Sequence, residues 1–205
     1  MVSRSGGGQS NETVIRSMRP VAKKTMRSRS PVENYPPILV IMGVSGSGKT
    51  TTAEALAERL GWLFKEGDTL HPEVNVAKMR AGIPLTDADR QPWLKAVAEW
   101  IDRQRAEGQP GIVTCSALKQ DYRRVIVGDR PSVRLVYLRG NQALIVERLA
   151  LRRGHFIQPH LLQSQLDTLE EPGYDEDPLI VDVAPTVDEI IEQIIRRLSR
   201  WAIRV

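Results

Sequence analysis

The chain has 205 residues, 41% of them hydrophobic, which is the size and composition of a single globular domain. Its longest apolar run, Ile38 to Met42, is too short to cross a bilayer, and no hydrophobic signal segment opens the sequence. The single cysteine, Cys115, cannot form an internal disulfide. These features argue against a membrane protein and against a disulfide-stabilised secreted domain, and they favour a cytoplasmic protein.

The net charge of +4 is placed unevenly along the chain. Residues 1–36 contain seven basic and two acidic side chains, a local balance of +5, which leaves the remainder at −1. A near-neutral body argues against a basic groove for nucleic acid. Because residues 1–36 are rich in Gly, Ser, Arg and Pro, we predict a disordered basic tail before a single domain at 37–205. A transit peptide and a start codon assigned too early are the alternatives for this segment.

The first predicted element after the tail is a strand. Ile38 to Met42 is a short, uninterrupted apolar run, as expected for a strand buried on both faces of a parallel sheet. Glycines follow, and the apolar residues between Lys49 and Leu60 then recur at helical spacing, with Gly61 as the C-cap. The domain is therefore predicted to begin with a strand, a glycine-rich loop and a helix.

Strands and helices continue to alternate along the rest of the chain. Capping boxes are predicted where Thr86 precedes Asp89 and where Thr186 precedes Glu189. Further strands are predicted at 62–65, 112–115, 133–138 and 179–183, and helices at 72–81, 88–106, 119–127, 142–152, from Pro159 onward and after Thr186. This alternation predicts a three-layer α/β fold, with an open, mostly parallel five-stranded sheet and helices on both faces.

The glycine-rich loop matches a phosphate-binding motif. Residues 43–50 fit G-x-x-x-x-G-K-[ST] and lie between the predicted strand and helix, which is the context that the motif requires. In such a loop backbone N–H groups and the helix dipole bind phosphate, Lys49 reaches the β- and γ-phosphates, and the Thr50 hydroxyl ligates Mg²⁺. The residues predicted to bind ATP are Gly43, Val44, Ser45, Gly46, Ser47, Gly48, Lys49, Thr50 and Thr51. The alternative is a strand-to-helix turn that binds nothing.

Polar residues just after the other strands are candidates for the acceptor side, because open α/β sheets react at the carboxyl ends of their strands. Asp68 follows the second strand and could take a proton from an alcohol, or it could cap the helix that begins near Pro72. Lys119 and Arg123, after the third strand, either bind an anionic acceptor or form an ordinary solvated face. Cys115 is predicted to be a buried thiol without a chemical role.

A basic segment between two predicted helices is the remaining candidate. Residues 148–160 are basic, are broken by Gly154 and close with Pro159, which favours a small mobile lid at about 152–160 over a plain helix connection. The three histidines, at positions 71, 155 and 160, lack the spacing of a zinc site, so we predict no transition metal.

At these residues the chain resembles the gluconate kinases, a family of the nucleoside-monophosphate-kinase-like P-loop class. The resemblance runs from Ile38 to Leu198, and several of its stretches are peculiar to that family. They are GVSGSGKT at 43–50, GDTLHPEVNVAKM at 67–79, GIPLTDADRQPWL at 82–94, CSALKQDYR at 115–123, GHF at 154–156, LLQSQ at 161–165 and LE at 169–170.

The resemblance implies transfer of the γ-phosphoryl group of ATP to the 6-hydroxyl of D-gluconate, in gluconate catabolism, by a homodimer. It also implies that Asp68 orients or deprotonates the acceptor hydroxyl, that Arg148 lies against adenine and that Arg152 acts from the lid. The acceptor-binding residues that it suggests are Asp68, His71, Lys78, Lys119, Arg123 and His155. A kinase of shikimate or of a nucleotide stays open, because a fold does not fix its substrate, and so does a regulatory NTPase that uses the basic tail.

Overall fold

A computed structural model of the protein describes residues 37–151 and 159–202. The predicted tail at 1–36, Arg152, His155 and most of the predicted lid lie outside the described residues. Within the described ranges, no helix is both long enough and apolar enough to cross a membrane.

Each strand and helix predicted within the described residues is present, with ends that fall within a residue of the predicted bounds. The strands are β1 Ile38–Met42, β2 Leu63–Lys65, β3 Gly111–Thr114, β4 Val133–Arg139 and β5 Leu179–Asp182. The helices are α1 Lys49–Leu60, α2 Glu73–Arg80, α3 Asp87–Ala106, α4 Gln120–Ile126, α5 Gln142–Leu151, α6 Pro159–Thr168 and α7 Val187–Ala202. Two short 3₁₀ turns, Gly67–Leu70 and Tyr174–Glu176, were not predicted.

The sheet has the order β2-β3-β1-β4-β5, and every pairing in it is parallel. The predicted α/β fold is therefore confirmed, and the described sheet is more regular than the mostly parallel one expected. β1 lies at its centre, between β3 and β4, and all five residues of β1 are buried. This position explains why the sequence of β1 is apolar without alternation.

The two faces of β1 support separate hydrophobic cores. Val40 and Met42 pack with Trp93 and other side chains of α3 and α4, whereas Leu39 and Ile41 pack with side chains of α1 and α7. Successive side chains of a strand point to opposite faces, so one short strand holds helices on both sides of the sheet. The parallel arrangement brings the carboxyl ends of all five strands to one edge, and the loops that leave this edge carry the candidate site.

Capping contacts confirm three of the predicted helix ends. Thr86 Oγ1 accepts the N–H of Asp89 at 3.2 Å, and the Asp89 carboxylate accepts the N–H of Thr86 at 3.0 Å. Thr186 and Glu189 make the same exchange at the start of α7. Gly61 ends α1 in the left-handed conformation, with φ of 67°.

Candidate active site

The phosphate-binding loop joins β1 to α1 at the carboxyl edge of the sheet. Gly48, with φ of 88°, forms the N-cap of α1, a conformation that favours glycine. The cap makes no side-chain hydrogen bond to the first turn of α1, and that turn contains no acidic residue. The amides at the start of α1 therefore face a site that suits an anion. Lys49 Nζ lies along the loop and donates to the carbonyl of Val44 at 3.0 Å.

Glu66 joins the phosphate loop to the ends of β2 and β3. Its Oε2 accepts the hydroxyl of Thr50 at 2.7 Å, and its Oε1 accepts the hydroxyl of Thr114. Thr114 Oγ1 in turn accepts the N–H of Gly67 at 3.0 Å. A hydroxyl that donates to a carboxylate keeps its lone pairs for a cation, and a hard divalent ion prefers such oxygen ligands. The donor set of Thr50 and Glu66 therefore fits Mg²⁺.

Glu66 and Thr114 were missed by the sequence reasoning, although both stand at strand ends. Glu66 directly follows β2, and this position was a usable indication. Glu66 accepts hydrogen bonds from Thr50 and Thr114, which are 16 and 48 positions away from it, so spacing could not have found this group.

Asp68 lies in the 3₁₀ turn Gly67–Leu70, beside the phosphate loop. This turn packs tightly: Trp93 Nε1 donates to the Gly67 carbonyl at 2.8 Å, and a Cβ at position 67 would lie 1.8 Å from the carbonyl oxygen of Thr114. Only glycine fits there, and the close approach fixes where Asp68 projects. The N-cap of α2 is Pro72 without a side-chain hydrogen bond, so the alternative role of Asp68 as a helix cap does not fit the structure.

The carboxyl of Asp68 meets solvent over part of its surface and is partly enclosed by protein atoms. Its pKa is raised, chiefly because neighbouring protein atoms remove part of its hydration; Lys49 opposes this shift and Glu66 adds to it. Lys49 and Asp68 are therefore close enough to interact electrostatically. A kinase needs this proximity between the cation that binds the phosphates and the group that accepts the proton of the alcohol. A raised pKa makes the carboxylate a stronger base, which suits proton abstraction.

His71 stacks on Trp93, with ring centroids 4.2 Å apart and planes inclined by 14°. Burial, and to a lesser extent Arg90, lowers the pKa of His71 to about 4. The ring is therefore neutral at neutral pH, and any hydrogen bond that it makes carries no charge on the imidazole. Asn75 Nδ2 lies 3.5 Å from His71 Nδ1 and donates to the Asp89 carbonyl at 2.6 Å, which ties His71 to α3.

The contacts of Lys78 and the burial of Cys115 indicate that both side chains support the fold. Lys78 Nζ donates to Asp89 at 2.7 Å and so joins α2 to α3, which leaves the predicted contact between Lys78 and an acceptor without support from the geometry. Cys115 is buried, and burial raises the pKa of its thiol to about 12, in agreement with an unreactive side chain.

Arg123 makes structural contacts inside the protein, and the geometry does not support its predicted contact with an acceptor. Its side chain is 2% exposed and forms a bidentate ion pair with Glu176, at 2.6 and 2.8 Å. Its remaining terminal nitrogen donates to the carbonyls of Ala117, Leu118 and Glu170. The guanidinium thus fixes the loop after β3 to the segment before β5, and its hydrogen-bonding capacity is used inside the protein.

Replacing Arg123 with glutamine is therefore expected to act on stability. It leaves Glu176 without its buried counter-ion, which costs about 3–5 kcal/mol in the free energy of unfolding. Arg124→Gln is the matched control, because the neighbouring Arg124 has an exposed side chain paired only with nearby residues of α4. Chemical denaturation of both variants measures the difference, and equal stabilities would contradict the structural role of Arg123.

A cleft lies beside the phosphate loop, and none of the acceptor-side candidates described above lines it. It has a volume of about 350 Å³ and is lined by the loop, by α1 and α5 and by the connection between β5 and α7, including Gly48, Thr51, Arg148, Pro185 and Thr186. The guanidinium of Arg148 donates to the carbonyl of Val183 at 2.5 Å, which holds it at the wall of the cleft. The cleft is open to a nucleotide whose phosphates occupy the loop.

The helix that follows the predicted lid also reaches the phosphate loop. Gln165 of α6 accepts the N–H of Ser45 at 2.7 Å and donates to Ser45 Oγ at 3.0 Å. The sequence pattern placed Gln165 in a shared motif but gave it no role. The contact shows that α6 is bound to the middle of the loop.

The sheet order, the glycine loop and the Thr50–Glu66 pair define a P-loop nucleotide-binding protein of the kinase type. Residues 38–172 match the family described as AAA domain. The gluconokinase of Gluconobacter oxydans (strain 621H) is 48% identical over 164 residues, which cover 80% of this chain and 92% of that protein. The chain belongs to the gluconokinase family.

Two further relatives agree with this assignment. The thermoresistant gluconokinase of Escherichia coli (strain K12) is 39% identical over 164 residues, covering 80% of this chain and 94% of that protein. The crystal structure of a gluconokinase from Sinorhizobium meliloti 1021 superposes with a TM-score of 0.73 at 44% identity, covering 83% of this chain and 95% of that chain. The similarity extends over nearly the whole of both relatives.

Proposed function

We propose that this protein is a gluconokinase that transfers the γ-phosphoryl group of ATP to the 6-hydroxyl of D-gluconate, giving 6-phospho-D-gluconate and ADP. The observation that carries the proposal is the meeting of Lys49 and Thr50 with Glu66 and Asp68 at one edge of the sheet, in a chain of this family. In the reaction O6 of the acceptor bonds to the γ-phosphorus while the bond from that phosphorus to the β,γ-bridging oxygen breaks. The O6 proton passes to the Asp68 carboxylate.

The nucleotide would occupy the loop and the cleft beside it. The loop amides and Lys49 would bind the phosphates. Thr51 and Arg148 line the cleft, which supports a position of Arg148 against adenine. Mg²⁺, held by Thr50 with Glu66 behind it, would neutralise charge on the β- and γ-phosphates. Arg152 and His155 keep their proposed roles over the transferring phosphate and at the acceptor. We also propose that the protein is cytoplasmic, in line with its single cysteine, and that it is a homodimer, as the family resemblance implies.

The test is a comparison of acceptors. ATP-dependent ADP release should be fast with D-gluconate and negligible with shikimate, with nucleoside monophosphates and without an acceptor. The product is checked by mass and by the position of the phosphate. Turnover that is largest with shikimate or a nucleotide would contradict the proposal, and turnover independent of any acceptor would favour a regulatory NTPase.

Replacement of Glu66 with glutamine tests the metal arrangement. Glutamine keeps the shape of the side chain but lacks the charge that orients Thr50, so we expect about 10- to 100-fold more Mg²⁺ to be needed for half-maximal turnover. The control is Glu58→Gln, at an exposed glutamate on the outer side of α1. An unchanged dependence on Mg²⁺ concentration in Glu66→Gln would show that Glu66 only supports the fold of the loop.

A further inference from the structure

A glutamine of α6 binds the middle of the phosphate loop through both ends of its amide. The Oε1 atom of Gln165 accepts the N–H of Ser45 at 2.7 Å, and its Nε2 donates to Ser45 Oγ at 3.0 Å. A backbone N–H can only donate, so the amide oxygen of Gln165 has to face it, and the amide nitrogen is left for the hydroxyl. The side chain therefore uses its donor and its acceptor on a single residue of the loop.

The peptide bond that Gln165 contacts is also the one that contacts Lys49. Its carbonyl, that of Val44, accepts the ammonium group of Lys49 at 3.0 Å and the N–H of Ser47 at 3.2 Å. Because a trans peptide is planar, its carbonyl and its N–H point in opposite directions, and fixing one of them fixes the other. Gln165 therefore sets, from the α6 side, the plane of the peptide against which Lys49 lies.

Apolar side chains of α5 and α6 pack against the same stretch of the loop. Val44 is buried in a cluster with Ile145 of α5 and Leu162 of α6. A Cβ at position 46 would lie 2.7 Å from Leu149 Cγ and 3.1 Å from Ile145 Cγ2, so α5 directly approaches the backbone of the loop. These side chains partly exclude water from this side of the loop, and a hydrogen bond in such surroundings is stronger than one in water.

A purely structural contact, which only holds α6 in place, is the alternative. Leu162 and Leu166 already pack α6 onto the protein, so the helix does not depend on the two hydrogen bonds to the loop. Gln163, an exposed glutamine of the same helix, shows the ordinary arrangement: it pairs with Gln142 of α5 and with Asp167 of α6. The bonds from Gln165 end instead on the loop peptide that contacts the catalytic lysine, which favours a role in the reaction.

We propose that Gln165 is a positioning residue for phosphoryl transfer, which acts on Lys49 through the Val44–Ser45 peptide. The inference rests on the proposed transfer from ATP, but not on which acceptor receives the phosphoryl group. In this role Gln165 needs no contact with either substrate. It holds the loop in the shape in which the loop amides and Lys49 meet the phosphates, so that this charge is in place before the reaction and needs no reorganisation during it.

Replacing Gln165 with methionine tests the proposal. Methionine has a similar length and is a good helix former, but its sulfur is only a weak acceptor for the Ser45 N–H. We expect kcat to fall about 10- to 100-fold, the effect of a misplaced catalytic group, with the KM for gluconate within about twofold and the melting temperature within a few degrees of wild type. Gln163→Met is the control, because it makes the same change at an exposed position of α6.

Combining Gln165→Met with Lys49→Ala separates positioning from a structural role. If Gln165 acts through Lys49, a chain that lacks the ammonium group has nothing left to misplace, so the double variant should turn over within about threefold of Lys49→Ala alone. Product accumulated over hours measures these low rates. A further loss of about 10- to 100-fold in the double variant would contradict an action through Lys49, because independent effects multiply.

Hydrogen exchange at the Ser45 amide, followed by NMR, gives a readout that needs no turnover. In the wild-type chain without nucleotide this amide should be protected, and Gln165→Met should make it exchange about five- to tenfold faster, whereas Gln163→Met should not. Gln165→Glu is the second variant: its carboxylate still accepts the Ser45 N–H, so the amide should stay protected. An unprotected Ser45 amide in wild type, or an equal loss of protection in both variants of Gln165, would overturn the inference.

The results also separate this inference from the proposed function. If wild type phosphorylates gluconate and Gln165→Met does so at the wild-type rate, the role of Gln165 is wrong and the proposed function stands. If wild type prefers another acceptor, the substrate assignment fails, and the same variants assayed with that acceptor decide the role of Gln165. A wild-type chain that transfers no phosphoryl group from ATP would overturn both.

Discussion

Replacing Lys49 with alanine is expected to lower gluconate-dependent ADP release by about 10³-fold at saturating substrates, the effect of removing a charge aimed at the developing transition state. The ammonium group of Lys49 donates a hydrogen bond to the carbonyl of Val44, a residue of the same loop, at 3.0 Å. From this position the ammonium group can reach the phosphates with little rearrangement. Its stabilising effect increases as negative charge builds up on the transferred phosphoryl group in the transition state.

The fold should tolerate this replacement. Lys49 is the first residue of α1, its side chain is only partly buried, and alanine is the best helix former. The control is Lys95→Ala, because Lys95 lies on the exposed face of α3 with a side chain that is 76% exposed. We expect melting temperatures within a few degrees of wild type for both. Turnover of Lys49→Ala near that of Lys95→Ala would contradict the assignment of the loop as the phosphate site.

The strand, loop and helix at 38–60 could be predicted in detail because their information is local. A buried central strand has to be apolar, the loop needs glycines to turn its amides inward, and the helix repeats its apolar residues at fixed spacing. The capping boxes at Thr86 and Thr186 are equally local, since each is complete within four residues. For such features a sequence contains both partners of the contact.

Contacts between residues that are far apart in the sequence could not be predicted. Lys119 and Arg123 looked equivalent at a spacing of four residues, but Glu176 lies 53 positions after Arg123 and draws it into the interior. Lys119 precedes α4 as its N-cap and remains at the surface. Spacing identifies a helix face, but not what packs against it.

Substituting Asp68 with asparagine should lower turnover about 10²- to 10⁴-fold, the range for loss of general base help. Asparagine keeps the size of the side chain but cannot take the O6 proton. Since Asp68 does not cap α2, the change should leave the melting temperature close to that of wild type. Asp129→Asn is the control, because Asp129 is exposed in the turn before β4.

The dependence of turnover on pH gives this test a second readout. The pKa of Asp68 is raised, chiefly by burial, and the reaction needs the deprotonated form, so wild-type kcat/KM should fall as the pH drops through that raised value. In Asp68→Asn this acid limb should disappear from the residual activity, because the group that titrates is gone, whereas Asp129→Asn should keep it. An Asn variant that retains more than about a tenth of the wild-type rate, with the acid limb intact, would contradict a role for Asp68 as the base, since even the smallest expected loss is about a hundredfold. A variant that loses activity and keeps the limb would place the proton acceptor elsewhere and leave Asp68 as a group that only orients the acceptor hydroxyl.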